Sequence, residues 1–547
     1  MTLEVRSERI PIEIRLPVSF PYGEIEVFVR DSSWVRYEHQ SANGKMCLPP
    51  DVSDDREPGR LVRIVEDAIG WLKDAIAGSL VRAGEPFELP DFPGDYVYTS
   101  RITYDEEPVD YGRWRDFIGR SGALELVQIH GGWAVKAMTD SEGKALARAT
   151  TIRLPNSTRT AFGRWILLDQ FSSKGHRAPA AWSELLELSP LVERERYLAW
   201  RASNAGFSCL LVGFPIPSVF GGPLARVHWQ PIFNFGLKHD RQARRQALRV
   251  EGRRLKKSLL APRKLWYEFE KANPSDQPIP WGYAEDISAT RLYSRSSVNA
   301  AAFEKPLLIG CGALGSVIAD CLVRSGLRRL GLIDREPLEY GNLCRHVLDG
   351  TSVGLSKAAA LAERLRRVSP SVIVTAGELV VPPITTKGAA EFEKLRHTTD
   401  LVIDASGDEE LLGWLDTPEG RGGCQIAAVW TNSDASIGVC ILSGAGEDLG
   451  VSSIRQRVVQ AIDDGDVPGC DSEVYRGPGP IFPGVGCWHP TFAGNWARIL
   501  GLGAAVSEWL RDSARGHRSG RAVVLSFKKG GWHELRSWSI EALVDVS

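Results

Sequence analysis

The segment Leu307–Ser316, Leu-Leu-Ile-Gly-Cys-Gly-Ala-Leu-Gly-Ser, decides the fold of the carboxyl-terminal half of this chain. A short apolar run leads into Gly310, Gly312 and Gly315, and a helical pattern continues from Ser316 to about residue 324. This order is typical of a strand that ends in a glycine-rich turn. The helix that follows such a turn offers free N–H groups and its positive dipole end to phosphate oxygens. The segment therefore predicts a nucleotide-binding turn.

The residues after this turn indicate which nucleotide it binds. Asp334 closes the next apolar run, Leu330 to Ile333, near the offset of about 20 residues at which a carboxylate contacts ribose hydroxyls. Asn342 and Arg345 are spaced to share one face of a turn, from which both side chains can reach a triphosphate. Lys357 supplies a further polar contact. This set favours ATP over the dinucleotide of a dehydrogenase.

Over about residues 286–445, four motifs together resemble the ThiF/MoeB/ubiquitin-activating adenylyltransferase family. They are Asp-x-Glu at 334–336, Asn-Leu-x-Arg-His at 342–346, Gly-x-x-Lys-Ala at 354–358, and Asp-Leu-Val-Ile-Asp-Ala-Ser-Gly-Asp at 400–408. Gly-x-Gly-x-x-Gly alone would be a weak signal. Members of this family adenylate the C-terminal carboxylate of a small protein, and the resemblance implies the same activity here.

The resemblance also implies roles for individual residues. It places Gly312 and Gly315 beside the phosphates of ATP and Asp334 on the ribose. The remaining phosphate contacts that it implies are Asn342, Arg345, Lys357 and, from a neighbouring subunit of a homodimer, Arg295 in Arg-Leu-Tyr-Ser-Arg.

The magnesium ligand is less directly aligned, because the Asp-Leu-Val-Ile-Asp motif is one residue out of step with the family pattern. We assign the Mg²⁺ of ATP to Asp408, with Asp404 as the second choice. His346 stands where glutamine is usual, and its role is open. The structural alternatives are that Asp404 ends a buried strand, that Lys357 is a solvated helix residue, and that Cys311 and Cys344 are small buried side chains.

The nine cysteines contain no Cys-x-x-Cys pair, so no structural zinc is expected. Scattered thiols without a signal peptide predict a reduced, cytoplasmic protein. Cys487 lies in a Gly/Pro-rich loop, Pro-Gly-Val-Gly-Cys-Trp-His-Pro-Thr-Phe, before a helix that starts near Asn495. A helix N-terminus and His489 can draw such a thiol toward the thiolate that attacks an acyl-adenylate. This string resembles the activating-enzyme cysteine of bacterial fusion proteins, and Cys470 is the rival nucleophile.

The amino-terminal region, about residues 8–93, resembles the ubiquitin-conjugating fold. Phe-Pro-Tyr at 20–22 precedes a strand at 24–29, and His39-Gln-Ser-Ala-Asn-Gly-Lys-Met-Cys47-Leu leads to a helix at 61–81. The resemblance implies that Cys47 is the conjugating cysteine. The inner face of the helix is expected to comprise Ile64, Ala68, Trp71, Leu72 and Ala75.

This second match departs from its family pattern in three ways. The asparagine that follows His-Pro has no counterpart at Ser41 unless Asn43 substitutes for it, and the interval from His39 to Cys47 is two residues short. The amino-terminal helix and first strand have no evident counterpart. We therefore expect either a pared-down module or a translation start upstream of Met1.

Length and charge fit a multidomain enzyme. The 547 residues predict about three or four domains. The net charge of −2 predicts no general affinity for nucleic acid or anionic lipid, and no apolar run approaches the roughly 18 residues that span a bilayer. We predict a conjugating-like α+β domain at 1–95, a mixed α/β linker domain at 96–285 and a doubly wound, Rossmann-like α/β adenylation domain at 286–547.

The linker is the least informative part of the sequence. A helical pattern runs from Ala181 to Ala202, and a strand from Phe207 to Phe214 is expected to break at Pro215 and Pro217. Residues 241–264 carry ten Lys or Arg residues and one Glu. We interpret this basic segment as the solvated face of a helix, with an acidic partner or nucleic acid as the alternative.

The order of modules resembles the activating/conjugating fusion proteins of antiviral CBASS operons. It predicts that a donor carboxylate is adenylated with ATP and Mg²⁺, captured as a thioester on Cys487, transferred to Cys47 and joined to a target lysine. A cyclic-nucleotide synthase and a ubiquitin-like protein are both possible donors. His39 or His489 would assist proton transfer, unless each is an ordinary loop residue. The alternatives are a sulfur-carrier-activating enzyme of thiamine or molybdopterin synthesis, in which Cys47 is dispensable, and a nucleotide-binding protein without turnover.

Overall fold

The computed structural model describes most of the chain in two compact units, residues 1–292 and 293–547, and each unit is treated by itself. The described residues are 2–5, 8–20, 23–49, 59–93, 101–106, 110–129, 131–148, 159–171, 175–190, 209–233, 278–293, 304–445, 449–478, 494–513, 521–528 and 531–539.

The first unit opens with a three-stranded antiparallel sheet, β1 (Thr2–Val5), β2 (Glu8–Arg15) and β3 (Glu26–Val29). Helix α1 (Arg60–Ala77) packs its apolar face into one core with these strands. The five residues predicted for that face are all buried. Helix α1 ends at Ala77 rather than near 81, because Gly78 adopts a left-handed φ of 68° and its N–H bonds back to Ala75.

The prediction that the first strand is missing was wrong. Strands β1 and β2 both precede β3, and β2 alternates outward Glu and Arg with inward Ile10 and Ile12. Strand β2 is polar on one face and presents few apolar residues on the other, so its sequence shows only a weak apolar pattern.

An eight-stranded mixed sheet forms the rest of the first unit, with spatial order β10-β9-β8-β5-β6-β4-β11 and with β7 beside β6. Three tryptophans, Trp114, Trp165 and Trp229, pack edge to face in its core. The short helix α2 (Trp182–Glu187) packs into the core of this sheet, and a second short helix, α3 (Ala289–Leu292), follows β11 in the sequence. The strands are β4 (Arg101–Tyr104), β5 (Ser121–Ile129), β6 (Gly132–Thr139), β7 (Ala145–Arg148), β8 (Thr160–Leu167), β9 (Cys209–Pro217), β10 (Leu224–Phe233) and β11 (Tyr283–Asp286).

One prediction for the linker was wrong, and a second concerns residues that lie partly outside the described part of the chain. Strand β9 does not break at Pro215, because it stays paired with β10 as far as Pro217. Its pairing with β8 ends at Gly213, so both prolines lie where β9 has a neighbour on one side only. The helix predicted from Ala181 is α2, which ends at Glu187, and residues 191–202 lie outside the described part.

The second unit is built on one eight-stranded sheet, with spatial order β14-β13-β12-β15-β16-β17-β18-β19. The first five strands in this order are parallel and the remaining pairings are antiparallel. The strands are β12 (Leu307–Ile309), β13 (Arg329–Ile333), β14 (Ile373–Gly377), β15 (Leu401–Asp404), β16 (Gln425–Thr431), β17 (Ile437–Ser443), β18 (Arg521–Lys528) and β19 (Gly531–Ser539).

Helices cover both faces of this sheet, as two separate buried clusters show. They are α4 (Ala313–Arg324), α5 (Lys357–Val368), α6 (Thr386–Arg396), α7 (Glu409–Leu415), α8 (Pro418–Arg421), α9 (Val451–Asp463), α10 (Ser472–Arg476) and α11 (Trp496–Ser513). The predicted doubly wound α/β fold is confirmed. Among the described helices, none has the length and apolar character that a membrane span requires.

The parallel strands reverse their order between β12 and β15. In an open α/β sheet, ligands bind outside the carboxyl ends of the strands at such a switch point. Gly310 and Asp404 stand at the carboxyl ends of these two strands, and their junction therefore positions the site.

Candidate active site

The three glycines of the turn serve different structural purposes. Gly310 has a φ of 88°, and a Cβ there would lie 2.7 Å from the Ser406 nitrogen. A Cβ on Gly315 would lie 1.9 Å from the Gly310 oxygen, so this glycine lets α4 approach β12. Gly312 caps the N-terminus of α4, and within the described part of the chain no atom except those of its sequence neighbours lies within 4 Å of a Cβ built on it. The open position beside the helix N-terminus is therefore at Gly312.

Asp334 fixes the conformation of the glycine turn. Its Oδ2 accepts the N–H of Cys311 at 2.7 Å, and its Oδ1 accepts the N–H of Glu336 at 2.8 Å. Burial raises the pKa of this carboxyl, and the two backbone donors act in the opposite direction. Two ionised oxygens offer about four acceptor positions, so each can still accept a hydroxyl.

A cleft of about 220 Å³ collects five of the predicted residues, Gly310, Gly312, Asp334, Lys357 and Asp408. Lys357 begins α5 and is buried, and its Nζ lies 2.7 Å from the half-exposed carboxylate of Glu336. It is therefore not a solvated helix residue. The other lining residues are Ile309, Ile333, Arg335, Glu336, Leu379, Val381, Ala405, Ser406 and Leu411.

Asn342 and Arg345 do not line this cleft. They lie three residues apart on a 3-10 helix, Tyr340–Arg345, where such positions share one face. The Oδ1 of Asn342 accepts the N–H of Glu339 at 2.9 Å and so caps the start of that helix. The prediction that Cys344 is buried was wrong, because it is exposed on this helix, whereas Cys311 is fully buried.

His346 joins the end of this 3-10 helix to the glycine turn. Its Nδ1 accepts the N–H of Leu348 at 3.1 Å, so the proton lies on Nε2, which donates to the Cys311 oxygen at 2.7 Å. The ring is buried, and burial lowers its pKa. The structure thus shows that His346 helps to position the glycine turn, a role that the sequence did not indicate.

Asp404 and Asp408 are linked through Ser406 but differ in exposure. Both the N–H and the hydroxyl of Ser406 donate to Asp404 Oδ1, at 2.9 and 2.6 Å, and burial raises the pKa of Asp404 to about 6. Asp408 is exposed, and its Oδ1 caps α7 through the N–H of Glu410 at 2.9 Å. Of these two carboxylates, only Asp408 lines the first cleft.

Asp408 also lines a second cleft of about 310 Å³ at the carboxyl end of β16. Trp430 Nε1 donates to the Tyr475 hydroxyl there at 2.9 Å, and the guanidinium of Arg455 lies 5.5 Å from the Trp430 ring centroid. The other lining residues are Asp404, Gly407, Glu409, Leu412, Ala428, Val429, Thr431 and Asn432.

Some of the predicted residues lie outside the described part of the chain, and the surroundings of Cys470 do not favour its predicted reactivity. Arg295, Cys487, His489 and the basic segment 241–264 lie outside the described residues. Cys470 is buried, which raises the pKa of its thiol to about 11, so its surroundings oppose thiolate formation.

Cys47 is exposed on a loop that is tied to β3. Its N–H donates to the His39 oxygen at 2.9 Å, and the Met46 N–H donates to the Val27 oxygen at 2.8 Å. Asn43 Oδ1 accepts the N–H of Lys45, so that amide oxygen stabilises the turn itself. Burial raises the pKa of Cys47, and the nearby carboxylate of Glu88 adds to this effect.

Sequence reasoning missed Glu336 and Ser406 as cleft residues. Both lie inside motifs that were identified, Asp-x-Glu and Asp-Ala-Ser-Gly-Asp, but neither motif shows that Glu336 pairs with Lys357 or that Ser406 joins two aspartates. Glu88 was missed because nothing near it in sequence signals contact with the Cys47 loop.

This fold and this cleft define a ThiF-type nucleotide-binding α/β domain, and residues 283–409 match the ThiF family model. Residues 78–286 match the model of the Cap2 central linker domain. The chain as a whole is similar to the ATP-dependent ubiquitin transferase-like protein Cap2 of Enterobacter hormaechei subsp. hoffmannii, at 29% identity over 480 residues, which cover 84% of this chain and 74% of that protein. The expectation that this chain contains a ThiF domain within a fusion protein of this kind is confirmed.

Other relatives match shorter parts of the chain. The adenylyltransferase and sulfurtransferase MOCS3 of Xenopus laevis is 44% identical over 68 residues, which are 12% of this chain and 15% of that protein. A solved structure of E. coli tRNA N6-threonylcarbamoyladenosine dehydratase, TcdA, in complex with ATP is 22% identical with a TM-score of 0.28, covering 41% of this chain and 91% of that chain.

The glycines give a matched test of fold against binding. We expect Gly315→Ala to destabilise the second unit by roughly 1–3 kcal/mol, because its Cβ overlaps the Gly310 oxygen. Gly312→Ala should unfold like the wild type and yet bind ATP at least about tenfold more weakly, about 1.4 kcal/mol, since its Cβ occupies the open position. Urea denaturation and equilibrium titration with ATP measure the two effects. Equal ATP affinity in Gly312→Ala and the wild type would contradict the assignment.

His346 predicts an acid-sensitive site. The folded chain holds the ring neutral, whereas the unfolded chain protonates it below its ordinary pKa of 6.5, so the stability that it contributes is full above pH 6.5 and is lost as pH falls. His346→Gln should keep both hydrogen bonds and lose this pH dependence. His346→Ala leaves two buried backbone groups unpaired, at about 1–3 kcal/mol each. Urea midpoints at pH 7.5 and 5.5 measure this; the same acid loss in the glutamine variant would refute it.

Proposed function

We propose that this chain adenylates the C-terminal carboxylate of a protein donor, captures it as a thioester and joins it to a target amine. One observation carries the proposal: a single cleft at the strand switch point combines an open helix N-terminus, Asp334, buried Lys357 and Asp408. Such a cleft can bind a nucleoside triphosphate and stabilise the phosphate group that is transferred from it. The similarity to Cap2 over most of the chain supports the protein donor.

In the first step, a donor carboxylate oxygen attacks the α-phosphorus of ATP, an O–P bond forms and pyrophosphate leaves. The N–H groups at Gly312 face the phosphates, and Asp334 accepts the ribose hydroxyls. Lys357 counters charge on the transferring group. Arg345, from the 3-10 helix outside the cleft lining, and Arg295 from a second subunit of a homodimer add positive charge when ATP is bound. Glu336 holds the Lys357 ammonium at 2.7 Å until phosphate replaces it.

The residues in the cleft fit a magnesium ion carried by ATP. Mg²⁺ in such sites uses one or two carboxylates together with phosphate oxygens and water, and Asp408 is exposed in the cleft to serve as that carboxylate. Asp404 is buried and satisfied by Ser406, which makes it the weaker candidate. When bound, the ion neutralises developing charge on the phosphates.

The second cleft supplies a path for the donor tail, because it shares Asp408 with the first. Its wall includes Tyr475, and the chain leaves Arg476 with its carbonyl bonded to the Ser433 hydroxyl at 2.9 Å. In the sequence, Cys487 comes twelve residues after Tyr475. Beyond Cys487 in the sequence, Asn495 Oδ1 accepts the N–H of Arg498 and so caps the N-terminus of α11.

Thiol chemistry completes the sequence. The Cys487 sulfur attacks the acyl-adenylate carbonyl, a C–S bond forms and AMP leaves. The Cys47 sulfur then displaces Cys487 in an exchange of one thioester for another, and a lysine amine of the target displaces Cys47 to form an amide. The donor would be a cyclic-nucleotide synthase or a ubiquitin-like protein in bacterial antiviral defence of the CBASS type. Each transfer keeps the carbonyl activated for the next nucleophile.

Separate variants should block separate steps of this sequence. We expect Lys357→Ala to lower donor-dependent exchange of labelled pyrophosphate into ATP by about 100-fold, because a charge on the transferring phosphate is lost. Cys487→Ala should keep exchange but form no reducible adduct with the donor. Cys47→Ala should keep the Cys487 adduct but yield no amide product. Radiolabel exchange and non-reducing gels of intact chain measure these outcomes.

Matched controls are available in the same unit. Lys394→Ala removes an exposed lysine of α6, and Cys344→Ala removes an exposed thiol of the 3-10 helix, so both should behave as wild type. The alternative function, a sulfur-carrier-activating enzyme, predicts instead that Cys47→Ala retains every activity. Nucleotide binding without donor-dependent exchange in the wild type would overturn the proposal.

A further inference from the structure

The segment after α1 brings acidic side chains against the loop that carries Cys47. Glu88 Oε2 lies 2.7 Å from His39 Nδ1, and Asp91 Oδ2 accepts the N–H of Ala42 at 2.9 Å. Both carboxylates fall in the stretch matched by the linker model, whereas Cys47 precedes it. The surroundings of this thiol are thus assembled from two distant segments.

His39 is held in place through both its backbone and its ring. Its φ of 52° lies in the left-handed region, which is strained for a residue other than glycine and persists only where the surroundings enforce it. Its oxygen accepts the N–H of Cys47 at 2.9 Å, while its ring meets Glu88. Backbone and ring together fix the imidazole beside the thiol loop.

The contact with Glu88 also selects the tautomer of His39. The Glu88 oxygen lies 2.7 Å from Nδ1 as an ion-pair contact without the alignment of a hydrogen bond, and its negative charge favours a proton on that nitrogen, which leaves Nε2 as the proton acceptor. His39 is more than a third exposed, so an incoming molecule can reach the ring. This carboxylate–imidazole arrangement is the one that orients a general base.

The charges around the loop favour a cationic visitor. The Lys45 ammonium lies 2.8 Å from both Glu24 and Glu26 and is therefore already neutralised. His176 packs beside Phe87, and burial lowers its pKa, so it adds no positive charge at neutral pH. Arg226 and Arg291 line the cavity that also holds His39, Glu85 and Glu88, so the charges of that cavity are mixed. At the Cys47 sulfur, Glu88 and Asp91 both act to raise the pKa of the thiol, and a protonated primary amine is attracted to the negative field that they create there.

We propose that His39 takes the proton of an acceptor amine that attacks the acyl group on Cys47, and that Glu88 is the positioning residue for His39. The amine arrives as an ammonium and gives one proton to Nε2 of His39. Its nitrogen then forms the C–N bond, the C–S bond breaks, the second proton of the nitrogen passes to the Cys47 sulfur, and His39 releases its proton to solvent. The inference rests on the proposed function for the presence of that acyl group, and it makes the acceptor a primary amine rather than a hydroxyl.

Chemical loading tests this step without adenylation. Full-length chain is incubated with the glycine thioester of 2-mercaptoethanesulfonate, which transfers glycyl groups to exposed thiols, and loss of glycyl from Cys47 is followed by site-resolved mass spectrometry. Lysine needs a base, whereas hydroxylamine is uncharged at neutral pH and does not. We expect Glu88→Gln and His39→Gln to slow discharge to lysine by roughly tenfold or more and discharge to hydroxylamine by less than about twofold.

Glu85→Gln is the matched control. Glu85 lines the same cavity as Glu88, but its carboxylate accepts the N–H of Arg82, so this variant should discharge both nucleophiles as wild type does. Unchanged lysine discharge in Glu88→Gln and His39→Gln, or equal slowing of both nucleophiles, would overturn the inference. Failure of the proposed function would appear elsewhere, as the absence of any ATP-dependent thioester in the wild type.

Discussion

The structure of the nucleotide cleft depends on the contact between the glycine turn and the Asp334 carboxylate. One carboxylate holds the Cys311 and Glu336 N–H groups, and so joins the end of β12 to the end of β13. The turn can take this path only because Gly315 has no side chain where α4 crosses the Gly310 oxygen. His346 secures the other side of the turn through the Cys311 oxygen. The N-terminus of α4 is therefore presented to a ligand in a fixed orientation.

Two buried charged groups at this site, Asp404 and Lys357, both have polar partners. Asp404 accepts two hydrogen bonds from Ser406, and Lys357 pairs with Glu336. Unsatisfied buried charge would cost more than the fold can supply. The exposed partners, Glu336 and Asp408, are the ones that a bound nucleotide can rearrange. Because these partners are exposed to solvent, a phosphate can reach Lys357 and take the place of the Glu336 carboxylate.

Much of this cleft could be predicted from sequence because its residues lie at fixed offsets from strand ends. Gly310, Gly312 and Asp334 follow β12 and β13 directly, and Lys357 and Asp408 flank helix starts. Other features have no local signal. The exposure of Cys344 depends on a 3-10 helix, the β2 strand alternates charged with apolar residues, and Glu88 reaches His39 only through tertiary folding. The prolines of β9 led to the wrong prediction that this strand breaks, because the sequence does not show where the pairing of β9 with its second neighbour, β8, ends.

The central claim is that a donor carboxylate attacks the α-phosphorus of ATP in this cleft. Isotope transfer tests it most directly: donor protein whose C-terminal carboxylate carries ¹⁸O is turned over with ATP and magnesium, and the AMP is analysed by mass spectrometry. Attack by the carboxylate followed by displacement at the carbonyl leaves one ¹⁸O in the phosphate of AMP. AMP without the label, released while the donor is consumed, would contradict the account.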